Sequence, residues 1–229
     1  MYFHFDSRSK RMADTYILIV FHSLQGHTQR VAEIVAEGAR SIQSTKVVMK
    51  SVDEVDRTDF KDCDALIMGS PVHQRSMSWE MKRFVDLVCE PSWFFDDMVG
   101  RVGGVFTTGG GHGDCGAGCE LAQLSMLGNL ASLGMVLVTL PKTTPGFNAA
   151  GMHWGAHVRT GGRQMEPATP QQLDPEALEA AFHHGANIAR VAVNLRNVQL
   201  MAQGNVVPAQ PEREQRTQMQ GIIPQGVPR

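Results

Sequence analysis

Apolar residues along this chain fall into short continuous runs alternating with longer stretches that repeat every three or four positions. The short runs are Tyr16 to Phe21, Lys46 to Val52, Ala65 to Gly69, Val102 to Thr107 and Met135 to Leu140. Continuous runs rich in β-branched or apolar residues suit strands buried on both faces. The longer stretches predict helices. Thr28 to Arg40 places Val31, Ile34 and Val35 on one face, and Trp79 to Val88 does the same with Met81, Phe84, Val85 and Val88 behind a capping Ser78. Leu121, Leu124, Leu127 and Leu130 mark a third helix, which Gly134 can end in a left-handed cap. The last runs from about Pro175 to Leu200 behind Asp174, because proline is well tolerated at the first helical position. Asp53 to Asp62 leaves room only for a crossover of about one or two turns.

Strands alternating with helices predict an α/β fold: an open five-stranded parallel sheet with helices on both faces. In the order 2-1-3-4-5, ligands bind outside the carboxyl ends of strands one and three. The loops there begin at Ser23 and Ser70, and Thr107 to Gly111 after strand four borders the same crevice. The domain is expected over 14–202, with a flexible extension at 1–13 and a disordered Gln- and Pro-rich tail at 203–229. Pro141 to Leu173 reads as a long irregular segment, which in a compact domain is usually functional or part of an interface.

The first loop, Ser23-Leu24-Gln25-Gly26-His27-Thr28, has the makings of an anion site. Free N–H groups and the positive end of the helix dipole can hold a phosphate where no Lys or Arg stands. Ser23 and Thr28 offer hydroxyls, His27 a ring donor, and Gly26 close approach of the main chain. A monophosphate ester suits this loop better than a triphosphate, because the P-loop ending is missing. In the second loop, Pro71-Val72-His73-Gln74-Arg75-Ser76-Met77, backbone N–H groups could face the edge of a planar heterocycle while Val72 covers its face. In the third, Thr107-Thr108-Gly109-Gly110-Gly111, main chain can pass close to a ring. A flavin meets these demands together, and donors near its N1 and C2 carbonyl would favour the reduced anion.

Composition narrows the partners. The 229 residues are 42% hydrophobic and 19% charged, with a net charge of −2, which gives no general attraction to nucleic acid. No run is long enough to span a membrane and no signal peptide is evident, so a cytoplasmic protein is expected. Cys63, Cys89, Cys115 and Cys119 are expected as free thiols. Cys115 and Cys119 with His112 lack the fourth ligand of a structural zinc site, and no metal is expected. Gly111 to Gly116 spells GxGxxG, but it follows the fourth strand and no acidic residue stands about twenty positions later, so it does not predict bound NAD. No GxSxG elbow, HExxH pair or phosphatase-type Cys loop occurs. His22, His27, His73 and His112 fall at the cleft loops, whereas His183 and His184 read as packing or surface residues.

The order and spacing of several strings resemble the flavodoxin-like NAD(P)H:quinone oxidoreductases of the tryptophan-repressor-binding (WrbA) type, from about Tyr16 to Leu195. These are Ser23 to His27 with Val31-Ala32-Glu33 and Ala36 to Ala39, then Gly69-Ser70-Pro71 with Met77-Ser78, and Met81 through Phe84 to Asp86. Val105-Phe106-Thr107-Thr108 with the triple glycine, Leu130-Ala131, Gly134-Met135 and Gly155-Ala156 complete the set. The resemblance implies FMN, with its phosphate on Ser23 to Thr28 and its ring flanked by Pro71 to Met77 and Thr107 to Gly111. It implies alternation of NAD(P)H and quinone at the flavin with no catalytic side chain, in a homodimer or homotetramer. Trp93 and Trp154 would be the aromatics that stack on nicotinamide or quinone. Val52 to Asp62 is shorter than the family's usual insertion, His73 to Ser76 departs from its middle loop, and Leu133, after Ser132, replaces a histidine expected beside the flavin. A one-electron flavodoxin-type carrier and a cofactor-free regulatory or assembly module are the alternatives.

Overall fold

A strand that is apolar on both sides has to be covered on both sides, and β1 (Thr15–Phe21) shows how this chain does it. Ile17, Ile19 and Phe21 enter one core and Leu18 and Val20 the other, as the two-residue strand period requires. The computed structural model describes residues 14–111, 118–150, 152–162, 166–198 and 200–201. The expected extension at 1–13, the tail at 203–229, His112 and Cys115 lie outside the described residues.

The chain continues through α1 (His27–Arg40), β2 (Thr45–Ser51), α2 (Arg57–Asp62), β3 (Ala65–His73) and the short β4 (Ser76–Met77). After these come α3 (Trp79–Phe84), α4 (Glu90–Trp93), β5 (Val102–Gly109), α5 (Cys119–Ser132) and β6 (Val136–Leu137). The last elements are α6 (Phe147–Ala150), β7 (Ala156–Arg159) and α7 (Pro175–Leu195). The sheet runs β2-β1-β3-β5-β6, the order expected from the sequence. It has seven strands because the fifth place is shared and β4 adds to β3. β6 pairs with β5 only at Val102 and Gly103, and β7 pairs with the upper half from Phe106 to Gly109. The expected strand Met135 to Leu140 is therefore cut short, and Pro141 to Leu173 is not irregular, since it holds α6, β7 and a 3₁₀ turn at Pro170–Gln172.

One face of the sheet carries α1 and α7, which approach closely through two glycines. A Cβ on Gly38 would stand 1.9 Å from the Phe182 carbonyl oxygen, and one on Gly185 would stand 2.1 Å from that of Val35. The opposite face carries α2, α3 and α5. Ser78 caps α3 by accepting from Met81 N–H, as its position predicts. A π-helical turn at Val85–Cys89 joins α3 to α4, where Pro91 withholds an N–H from the helical ladder.

Two helix expectations need correction. Cys119, Ala122, Gln123, Met126, Leu127 and Leu130 form the buried face of α5, whereas Leu121 and Leu124 are exposed. A spacing of three residues drifts by about 60° per step around an α-helix, so a four-leucine row cannot stay on one core. α7 ends at Leu195 rather than Leu200, because Asn197 turns left-handed with φ 64°. Among the described residues no helix is long and apolar enough to cross a membrane.

Candidate functional site

At the carboxyl end of β1 the chain turns into α1 through Gly26, whose φ of 85° is a left-handed value that glycine adopts without strain. α2, α3 and α7 begin on side-chain caps from Asp56, Ser78 and Asp174, but among the described residues no side chain caps α1, and its first turn holds no acidic residue. The amide end of α1 therefore has no side-chain acceptor among the described residues. Beside it, Ser23 Oγ is buried and has no hydrogen-bond partner among the described residues. A buried hydroxyl is rarely left unpaired, so this atom marks where a polar ligand fits. His27 Nε2 instead reaches the Ala168 carbonyl at 2.6 Å, and Pro170 Cγ lies 3.3 Å from the place of a Gly26 Cβ. The chain after β7 therefore backs the first loop. Leu24 is 78% exposed at its tip and Gln25 is exposed beside it.

The sheet register brings the other two loops to the same rim. Ser70 pairs with Thr107 and Pro71 with Thr108. Thr108 Oγ1 then lies 2.8 Å from Thr28 Oγ1, in a buried hydrogen bond that ties the third loop to the first. His22 N–H donates to the Gly69 carbonyl at 3.1 Å, fixing β1 against β3 just below.

The second loop is more regular than the sequence suggests. β3 runs on to His73, and Val72 and His73 pair antiparallel with Met77 and Ser76. The turn residues Gln74 and Arg75 both have positive φ, 48° and 67°, the tight-hairpin geometry that usually takes Asn-Gly. Ser70 Oγ accepts from Ser78 N–H at 2.9 Å and anchors the returning strand. Arg75 rests on the start of α5, where a Gly118 Cβ would stand 2.4 Å from the Arg75 Cα. His73, Gln74, Arg75 and Ser76 are exposed, Pro71 and Val72 are half-buried, and Met77 belongs to the core between the sheet and α3.

Successive residues of β5 face opposite ways, so Thr107 does not join Thr108 at the first loop. Its hydroxyl meets His157 Nδ1 at 3.0 Å and Gln123 Nε2 at 2.9 Å. Gly109 touches Val72, whose Cβ is 3.2 Å from the place of a Gly109 Cβ, while Gly110 and Gly111 continue along the rim. His157 is a residue that sequence reasoning passed over, because it sits on a four-residue strand inside a segment read as irregular. Burial, and then the charge of Arg159, push its pKa down to about 4. Burial does the same to His184, also to about 4, and its Nε2 lies 3.0 Å from the Val105 carbonyl, which makes it a packing residue.

Trp93 ends α4, 53% exposed and edge-on to Phe94, and Trp154 precedes β7 at 38% exposure. Leu133 is buried in the core at the far end of α5 from Cys119. The described thiols Cys63, Cys89 and Cys119 are free and buried, and burial raises all three, Cys63 to about 12. None is a thiolate nucleophile near neutrality.

Residues 18–95 match the flavodoxin domain family. An NAD(P)H dehydrogenase (quinone) of Archaeoglobus fulgidus is 32% identical over 205 residues, which cover 78% of this chain and 98% of that protein. Another from Geotalea uraniireducens is 31% identical over 209 residues with the same coverage. This chain belongs to that flavodoxin-like family. A flavodoxin of Aquifex aeolicus is 37% identical over 121 residues, 53% of this chain, and the chain spans 63% of that flavodoxin's length. Among solved structures, the flavodoxin, WrbA-like protein from Agrobacterium tumefaciens shares the fold with a TM-score of 0.62 at 23% identity, covering 80% of this chain and all of that one. Family membership and fold thus agree with the sheet order.

Proposed function

We propose that this protein is an FMN-dependent NAD(P)H:quinone oxidoreductase. The observation that carries the reading is the union of three loops at one rim, joined by Thr28 and Thr108 beside a helix end and a buried Ser23 hydroxyl that have no side-chain cap and no partner among the described residues. These groups fit an anionic ligand that is held by main-chain amides and hydroxyls rather than by lysine. The names of the relatives, NAD(P)H dehydrogenase (quinone), support the activity.

Ser23, Leu24, Gln25, Gly26, His27 and Thr28 would hold the FMN phosphate. Pro71 to Ser76 on the second loop and Thr108 to Gly111 on the third would flank the ring, with Met77 and Thr107 supporting them from the core. When bound, FMN supplies two-electron chemistry at its N5, accepting hydride from NAD(P)H and passing it to the quinone. The chain's own part is to orient the rings, offer N–H donors and keep water from the reacting faces. Trp93 and Trp154, both exposed indoles, are the proposed stacking partners for nicotinamide or quinone. Leu121, Leu124 and Trp79 are exposed apolar side chains that support self-association into a homodimer or homotetramer.

The test is direct. Apoprotein mixed with FMN should quench flavin fluorescence at a one-to-one ratio, and the loaded protein should sustain NADPH- or NADH-dependent reduction of benzoquinone. Failure to take up FMN overturns the cofactor assignment. Uptake without quinone turnover overturns the enzyme assignment and leaves a carrier.

A further inference from the structure

β7 puts a histidine where a buried strand would ordinarily carry an apolar side chain. His157 is 6% exposed, and parallel pairing sets it beside Thr107. Its Nδ1 shares the Thr107 hydroxyl with Gln123 of α5. The carbonyls of Ala156 and Gly155, at 3.1 and 3.3 Å, fix which end of the Gln123 amide is nitrogen. That nitrogen can only donate, so Thr107 Oγ1 accepts from it and links Gln123 to His157 Nδ1. The other ring nitrogen, Nε2, is buried and has no partner among the described residues. With its pKa pushed down to about 4, the ring is uncharged at neutral pH.

The same ring reaches the cleft loops from behind. Its Cε1 lies 3.5 Å from the place of a Gly109 Cβ, the point that Val72 of the second loop approaches from the other side. Thr107 and Gly109 bracket Thr108, which holds the first loop through Thr28. The imidazole thus packs beside the stretch of β5 that touches both neighbouring loops.

We infer that His157 is a positioning residue for the flavin, an inference that rests on the function proposed above: acting through Thr107 and behind Gly109, it fixes the third loop's N–H groups against the cofactor and so tunes its affinity and reduction potential. Donors aimed at an edge that gains negative charge on reduction favour the reduced form, and their effect fades as they are displaced. Loosening the third loop should therefore weaken FMN binding and make the bound flavin harder to reduce.

The experiment compares wild type with His157→Ala, His157→Asn, Thr107→Val and the His157→Ala/Thr107→Val double variant. The readouts are FMN dissociation constants by fluorescence quenching and midpoint potentials of the bound flavin by dye-coupled titration. His157→Ala should bind FMN about tenfold more weakly, roughly the loss of one hydrogen bond. It should also favour the reduced form about tenfold less, a fall of about 30 mV for a two-electron couple. Asparagine places a polar atom where Nδ1 stands, so His157→Asn should stay within about twofold of wild type. Thr107→Val should resemble His157→Ala, and the double variant should be no worse than either, because both cut one link. A wild-type potential in His157→Ala, or additive losses in the double variant, overturns the inference while leaving the flavin reading intact. If His157→Ala does not fold, a wild-type potential in Thr107→Val overturns it equally. Wild-type apoprotein that takes up no FMN overturns both readings at once.

Discussion

Thr28 and Thr108 lie 80 residues apart in the chain, and their hydroxyls share a buried hydrogen bond of 2.8 Å. One stands at the start of α1, the other near the end of β5, and Pro71 pairs with Thr108 across the sheet. The contact joins the three loops, so breaking it should weaken ligand hold and also cost about 1–3 kcal/mol of stability for the hydroxyl left buried and unpaired. Thr28→Val or Thr108→Val should each weaken FMN binding about tenfold, and the double variant should lose little more, because neighbouring groups in one link are not additive. Calorimetric titration of the two single variants and the double variant with FMN checks this. Strictly additive losses would mean that each hydroxyl acts alone.

Ser23 makes a sharper test, since its two expected effects have opposite signs. Its buried Oγ has no partner among the described residues, so Ser23→Ala removes an unpaired polar atom and should leave the apoprotein as stable as wild type or slightly more so. FMN binding should weaken by about 1–3 kcal/mol, roughly 5- to 150-fold, as one donor to the phosphate is lost. Thermal melting without ligand and fluorescence titration with it measure the two effects separately. A loss of apoprotein stability together with unchanged FMN affinity would contradict the assignment of this hydroxyl to the ligand.

The contact of α1 with α7 leaves no room for a methyl group. Gly38→Ala would drive a Cβ to 1.9 Å from the Phe182 carbonyl oxygen, and Gly185→Ala one to 2.1 Å from that of Val35, both against backbone that cannot swing aside. Each substitution should cost about 1–3 kcal/mol or more of stability by overpacking. Because α1 also carries the first loop, FMN affinity should fall with it. Urea unfolding of both variants gives the magnitude, and a midpoint equal to wild type would show that the helices can separate cheaply.

Much of this fold is legible in local pattern. The five apolar runs, the Ser78 cap and the short crossover follow from side-chain period and capping chemistry, and sheet order then places Ser23, Pro71 and Thr107 at one rim without knowledge of any contact. What pattern misses is what only pairing decides. Val136 and Leu137 yield the upper half of the fifth place to Ala156–Arg159, a run too short to show a period. The direction of the Thr107 side chain depends on which face of β5 it occupies, and so does its partner His157. A leucine spacing of three set Leu121 and Leu124 on a face that rotates out of the core. Met77 reads as loop because the Gln74–Arg75 turn lacks the glycine that usually announces a tight hairpin.

Acid should weaken the protein above the range where carboxylates titrate. His157 and His184 have folded pKa values near 4 against an ordinary value of 6.5, chiefly because burial penalises the charged ring. Above pH 6.5 both states hold these rings neutral and stability is complete. As pH falls from 6.5 toward 4, the unfolded chain takes up protons that the folded one refuses, so stability drops by up to about 1.4 kcal/mol per pH unit for each ring. The full loss is on the order of 3 kcal/mol per histidine. Asp59 and Glu54, held below their ordinary values, add loss in the same direction but only at lower pH. His184→Gln keeps an amide nitrogen that can donate to the Val105 carbonyl and has no ring to titrate. Its urea midpoint should therefore fall about half as steeply as that of wild type between pH 6.5 and 5. Parallel slopes for the two proteins would mean that His184 is already charged, or hydrated, in the folded state.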